Sequence, residues 1–255
     1  MKNLRFLTAG LLLAWALTTQ AGQVRGQTYV VGADVDANGR ITATQVDADV
    51  PANVADVLAD AVKQWEFEPA TDNGRPVPAH TFLRVKLQAV ADTGGRDTLR
   101  LDFIGNGPRL DKTNPTPRYP VDAARAHEAA FLFLEATVQP DGSLTDLSVR
   151  SQFASGPTHP SFEQAVLAAA RHWHATPEQV DGQPVATKMR IPVNFTLSAQ
   201  RLTREQVRAL HDAAAMEKML ATISANPPPN PGSVEPVALD SPLHARVVAA
   251  IQIVD

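Results

Sequence analysis

Trp65-Glu-Phe-Glu-Pro-Ala-Thr-Asp-Asn-Gly-Arg-Pro-Val77 and Trp173-His-Ala-Thr-Pro-Glu-Gln-Val-Asp-Gly-Gln-Pro-Val185 state one pattern twice. Trp65, Pro69, Gly74, Pro76 and Val77 recur in register as Trp173, Pro177, Gly182, Pro184 and Val185. An Ala-rich stretch of helical spacing precedes each Trp, and a turn ending in Asn38-Gly39 or Asp141-Gly142 precedes that stretch. A repeated supersecondary unit sets the architecture before any single residue is interpreted. Copies about a hundred residues apart mean two small domains and not a solenoid.

Working outward from the repeat, each unit has the order strand, strand, helix, strand. In the first, Tyr29, Val31, Ala33 and Val35 alternate onto one face, Asp36-Ala37-Asn38-Gly39 turns, and Ile41 to Val46 returns. Val54, Val57, Leu58, Ala61, Val62 and Trp65 share one side of a helix that Pro51 opens. Leu83, Val85 and Leu87 alternate with Arg84 and Lys86, a half-buried strand. In the second, Leu132, Leu134, Ala136 and Val138 precede the Asp141-Gly142 turn, and Leu144, Leu147 and Val149 follow it. Phe162, Val166, Ala169, Ala170 and Trp173 mark the helix, and Met189, Ile191, Val193, Phe195 and Leu197 the last strand. Pro115-Thr-Pro-Arg-Tyr-Pro120 and a short helix near Val121 to His127 extend its front. The expected fold is α+β: two small domains, each a three-stranded antiparallel sheet with one packed helix.

The boundaries that follow are 1–21 for a signal peptide, 22–91 for the first domain, 92–110 for a linker and 111–200 for the second domain. A helix over 201–225 and a Pro-rich tail over 226–255 complete the chain. Gly94, Gly95, Gly105 and Gly107 mark the linker, within which Leu99, Leu101 and Phe103 allow one extra strand. Thr203 and Gln206 form a capping-box pattern at the start of the late helix, and Ser241-Pro242 suits the start of a last short helix.

Composition narrows the function. Lys2 and Arg5, an apolar run from Phe6 to Leu17 and a small-residue site at Thr19-Gln20-Ala21 predict a cleaved export signal, with a retained anchor as the alternative. Its removal takes the formal net charge from −4 to −6, which argues against nucleic acid or an anionic membrane as partner. A chain of 255 residues with no Cys has no disulfide and no reactive thiol. His159, His172 and His174 cluster in sequence, but His172 and His174 are two apart and point to different faces of a helix. No nucleophile motif or phosphate-cradling glycine loop is present, so no catalytic residue, metal or cofactor is expected.

Pro117-x-Tyr119-Pro120-x-x-Ala123, the Asp141-Gly142 turn, Trp173, Pro177, Gly182-x-Pro184-Val185 and Ile191-Pro192-Val193-x-Phe195 together resemble the TonB C-terminal domain family. The match covers about a third of the chain, and the first unit resembles the later part of the same pattern. The resemblance implies a periplasmic, non-catalytic protein whose last strand pairs with a short peptide of an outer-membrane transporter. A membrane-anchored energy transducer, and an assembly module or homodimer pairing through edge strands, are the alternatives.

Physically, a three-stranded sheet has open edges, and an extended peptide can add to one. The edge falls on Lys188, Arg190, Pro192, Asn194 and Thr196, whose side chains alternate outward. Pro192 has no N–H, which favours an edge strand; protection of that edge and peptide binding remain equal explanations. Tyr119 and Pro120 are candidates for the docking surface, with packing of Tyr119 on its own sheet as the competing explanation. Trp65 and Trp173 are expected as core anchors.

Overall fold

The computed structural model describes residues 26–91, 97–126, 128–151, 160–195 and 235–253. The segment expected as an export signal, Thr196, the segment expected as a late helix and the Pro-rich stretch up to 234 lie outside the described residues. In the first unit, β1 (Gln27–Val35) and β2 (Ile41–Val46) form a hairpin, followed by α1 (Ala52–Val62). Short strands β3 (Glu66–Glu68), β4 (Ala70–Asp72) and β5 (Arg75–Val77) lead into the long β6 (Ala79–Ala91). β7 (Asp97–Gly107) runs back along β6.

The second unit contains β8 (Arg109–Leu110), α2 (Val121–Ala126), β9 (Ala130–Val138), β10 (Leu144–Ser151) and α3 (Pro160–Ala170). It closes with β11 (Ala175–Thr176), β12 (Gln179–Val180), β13 (Gln183–Pro184) and β14 (Thr187–Phe195). The tail adds β15 (Val237–Ala238), β16 (His244–Val247) and β17 (Ile251–Ile253).

The repeated residues do the same work in both units. The Gly39 carbonyl accepts from Phe67 N–H at 2.8 Å, and the Gly142 carbonyl accepts from Ala175 N–H at 2.9 Å. Each glycine sits at positive φ, +82° and +84°. A Cβ there would lie 1.8 Å from the Phe67 oxygen or 2.6 Å from the Ala175 oxygen, so only glycine fits. Each Trp N–H closes the end of its helix, Trp65 onto Val62 and Trp173 onto Ala170, both at 3.1 Å. Asn73-Gly74 and Asp181-Gly182 both take positive φ, which fits the paired left-handed positions of tight hairpin turns.

Two apolar clusters follow from this. Val31, Ala33, Val35, Leu58, Val62, Trp65, Phe67, Leu83 and Val85 form the first. Leu132, Leu134, Val138, Phe162, Val166, Trp173, Met189 and Ile191 form the second. Apolar residues alternate along β14, where burial alternates too, whereas β1 is buried continuously over 31–33 and β6 over 81–85 because other strands and the tail cover their second face.

The sheets differ from the expected three strands each. β2, β1 and β6 belong to a seven-stranded sheet completed by β7, β17 and the β12–β13 hairpin of the second unit. β10, β9 and β14 are joined by β15 in a four-stranded sheet. Open edges explain the growth: an unpaired row of N–H and C=O groups recruits whatever extended chain lies near. Residues 92–110, expected as a linker, carry the optional strand as β7.

The short helix expected after Ser241-Pro242 is replaced by β16, on β3, and β17, on β7. Leu243 sits in the first core at 1% exposure, and Trp65 Nε1 donates to the Ala249 carbonyl at 3.0 Å. Tertiary contacts hold this segment extended where local spacing allowed a helix.

Candidate functional site

β14 is paired with β9 from Thr187↔Val138 to Phe195↔Ala130. Its side chains alternate without a break: Thr187, Met189, Ile191, Val193 and Phe195 are buried, while Lys188, Arg190 and Asn194 are exposed and Pro192 is half-buried. Of the residues expected on the candidate edge, Lys188, Arg190 and Asn194 are exposed, Pro192 is half-buried and Thr196 lies outside the described residues.

The backbone of Lys188 shows which way the outer edge faces. Leu239 N–H donates to the Lys188 carbonyl at 2.8 Å, and Lys188 N–H donates to Asp240 Oδ1 at 2.5 Å. Both groups therefore point away from β9. Strand alternation sends the backbone groups of Arg190, Pro192 and Asn194 the same way. Pro192 thus lacks its N–H where no bond to β9 is lost, and for that reason a proline is tolerated within a nine-residue strand.

The outer edge was expected to be open, and its first part is not. β15 pairs with it at Met189↔Ala238 and Arg190↔Val237. Gly107 makes room for this strand. Its φ is +140°, and a Cβ there would lie 2.5 Å from Ala238 Cβ. Among the described residues, the ladder on this edge ends at Arg190.

Arg190 is anchored by its neighbours. Its Nη2 and Nε donate to Glu135 Oε1 at 2.8 and 3.1 Å, and its guanidinium lies over the Phe133 ring at 5.8 Å. Tyr119 is held in an aromatic cluster, edge-on to Phe162 and Phe195 with centroids 5.7 Å away in both cases. Its hydroxyl donates to the Glu128 carbonyl, and burial raises its pKa. The Pro120 carbonyl accepts from Ala124 N–H at 2.9 Å in the first turn of α2. Trp65 and Trp173 are buried, at 1% and 8% exposure. His172 and His174 are exposed at the end of α3, and His159 lies outside the described residues. Among the described residues, no group of three or more His, Asp or Glu side chains is placed to hold a metal.

A buried polar cluster behind β15 was not found from the sequence. Glu178 is fully buried; its Oε1 accepts from Thr81 and Ser241 at 2.5 and 2.7 Å, and its Oε2 accepts from Thr187 at 3.1 Å. Arg84, expected on a half-solvated face, is 2% exposed and donates to the Pro108 carbonyl at 2.5 Å. Burial pushes the Arg84 pKa down to about 10, against the pull of Glu235 and Glu178, so it stays charged at neutral pH. Burial likewise raises the Glu178 pKa, opposed by the three hydroxyl bonds and by Arg84. The cluster joins β6, β14 and the tail. Its signal in the sequence was faint: an acid after Pro177, and an Arg that alternates with Lys86 as on any half-solvated strand.

Residues 115–197 match the family model described as the Gram-negative bacterial TonB protein C-terminal. Over 85 residues the chain is 34% identical to Protein TonB of Xanthomonas campestris pv. campestris strain B100, and equally to that of strain ATCC 33913. The similarity covers 33% of this chain and 36% of each relative, so it spans about a third of those proteins. No helix among the described residues is long and apolar enough to cross a membrane.

Proposed function

We propose that this protein is an exported envelope protein of TonB type that binds an extended peptide by strand addition, with no catalytic role. The partner class is a peptide segment of an outer-membrane transporter, and the place of action is the periplasm. In this view residues 22–91 and 111–200 are two TonB-like units, and β14 of the second is the receiving edge. The observation that carries the reading is the outer edge of β14 beyond Arg190, where the carbonyls of Pro192 and Asn194 and the N–H of Asn194 point outward. The 34% identity to Protein TonB supports the same assignment.

The main chain alone makes a weak site. Three outward groups at about 1 kcal/mol each give on the order of 3 kcal/mol, which corresponds to a dissociation constant of about 5 mM or weaker. Side chains of the peptide must supply the rest, as in other edge-strand receptors.

The reading is tested by placing a photo-crosslinking amino acid at Asn194 in cells that express the protein. The expected outcome is an adduct with an outer-membrane protein. Illumination that yields no envelope adduct, with the protein folded and exported, overturns the proposal.

A further inference from the structure

The first unit carries a worked example of strand addition on the matching edge. Counting from the shared Trp, β6 and β14 correspond residue for residue: Arg84 to Pro192, Val85 to Val193, Leu87 to Phe195. The edge of β6 that corresponds to the outer edge of β14 is filled. β12 pairs with it at Ala79 and His80, and β7 pairs with it from Phe82↔Gly107 to Ala91↔Asp97. Directly opposite the core-facing Val85 and Leu87, β7 presents Phe103 and Leu101. Leu101 is fully buried and Phe103 packs on the same core, edge-on to Trp65 and Phe67 with centroids at 5.4 and 6.0 Å. Besides its backbone ladder, the added strand therefore seats two apolar side chains, two residues apart, on this core.

A second feature transfers to β14. The ladder between β6 and β7 shifts register between Arg84 and Val85, so Ile104 is an extra residue there. Arg84 corresponds to Pro192, the position with no N–H to offer. The added strand bulges at the rung that β14 cannot complete. Beyond that rung, the core-facing residues of β14 are Val193 and Phe195, and Phe195 continues into the rings of Phe162 and Tyr119 at 4.9 and 5.7 Å.

We propose that the β14 edge takes one extended segment with two apolar side chains two residues apart, seated on the core face beside Val193 and Phe195. The β6 edge takes none, because β7 already fills it. The occupant is a segment of another protein, so the inference rests on the strand-addition reading above and adds its specificity and stoichiometry. The apolar pair reads the same in either chain direction, so both strand polarities satisfy it.

The probe is a synthetic peptide with the sequence of residues 97–107, titrated into the full-length protein and followed by calorimetry and amide NMR. One peptide is expected to bind per chain, shifting residues 191–195. A peptide with Leu101→Ser and Phe103→Ser should bind at least ten-fold more weakly. Asn194→Pro removes the outward N–H without touching the β9 ladder, and should weaken binding at least ten-fold at unchanged thermal stability.

Equal binding of the two peptides overturns the apolar pair and leaves strand addition standing. Two peptides per chain, or shifts along residues 82–91, overturn the single site. If the peptide fails to bind while crosslinking at Asn194 succeeds, the apolar pair alone is wrong. If both fail, the strand-addition reading falls with it. A concentration-dependent dimer that blocks the peptide, or an edge already closed by residues 196–234, also overturns the proposal.

Discussion

Gly142 and Gly182 look equivalent in the sequence, since each follows an Asp in a turn, but their surroundings set different costs. Both have positive φ; a Cβ on Gly142 meets the Ala175 carbonyl at 2.6 Å, whereas a Cβ on Gly182 meets nothing within 4 Å. Gly182→Ala should lose about 1 kcal/mol of stability, from backbone strain alone. Gly142→Ala should lose about 3 kcal/mol, because backbone atoms must also shift. Urea unfolding of the two variants measures the difference, and equal losses would refute the close-approach argument.

Glu178 sets a pH dependence at the same scale. Its ordinary pKa is 4.5, and burial raises it in the folded protein. The folded chain then holds the proton more tightly than the unfolded chain. Stability from this group is present below pH 4.5 and is lost as pH rises through the elevated folded value. Glu178→Gln removes that slope, so the stability difference from wild type should change with pH above 4.5 and level off once Glu178 is ionised. A difference that is flat with pH would rule out the titration. Glu178→Ala should cost about 1–3 kcal/mol, since the buried hydroxyls of Thr81, Thr187 and Ser241 would lose their shared acceptor, while Glu235 still acts on Arg84.

At the scale of elements, the tail is the consequential piece. It lends β15 to β14, Leu243 to the first core, β16 to β3 and β17 to β7. Leu243→Ala should destabilise the protein by about 2–5 kcal/mol, the usual cost of a buried cavity. Thermal unfolding checks this, and a loss below 1 kcal/mol would mean that the tail is not part of the core. The pairing of β15 also changes what the edge of β14 offers. Its first rungs are filled, and the free stretch starts at Ile191 among the described residues.

Across the whole molecule, the two units are not independent beads. β12 pairs with β6 at Ala79 and His80, and Asp47 receives both Arg109 at 2.9 Å and Lys112 at 3.0 Å. Glu178, Thr81 and Ser241 bring both units and the tail to one carboxylate. The units should therefore unfold together. Trp65→Phe and Trp173→Phe variants, each keeping the other reporter, should give coincident fluorescence transitions once corrected for their own stability changes. Separate transitions within either variant, by fluorescence and by circular dichroism, would show that the units melt apart.

The sequence by itself determined the recurrence of Trp65 to Val77 as Trp173 to Val185 and the alternation of apolar and polar residues along β14. These are local matters: periodicity of two or 3.6 residues and the conformations only glycine tolerates. The tertiary structure alone decided that β7 fills the β6 edge, that the tail is strands, and that Arg84 and Glu178 are buried near each other. Edge pairing is made by backbone groups that every residue carries, so composition does not encode which segment will arrive. Buried charges likewise depend on what covers them, and the covering chain lies far away in sequence.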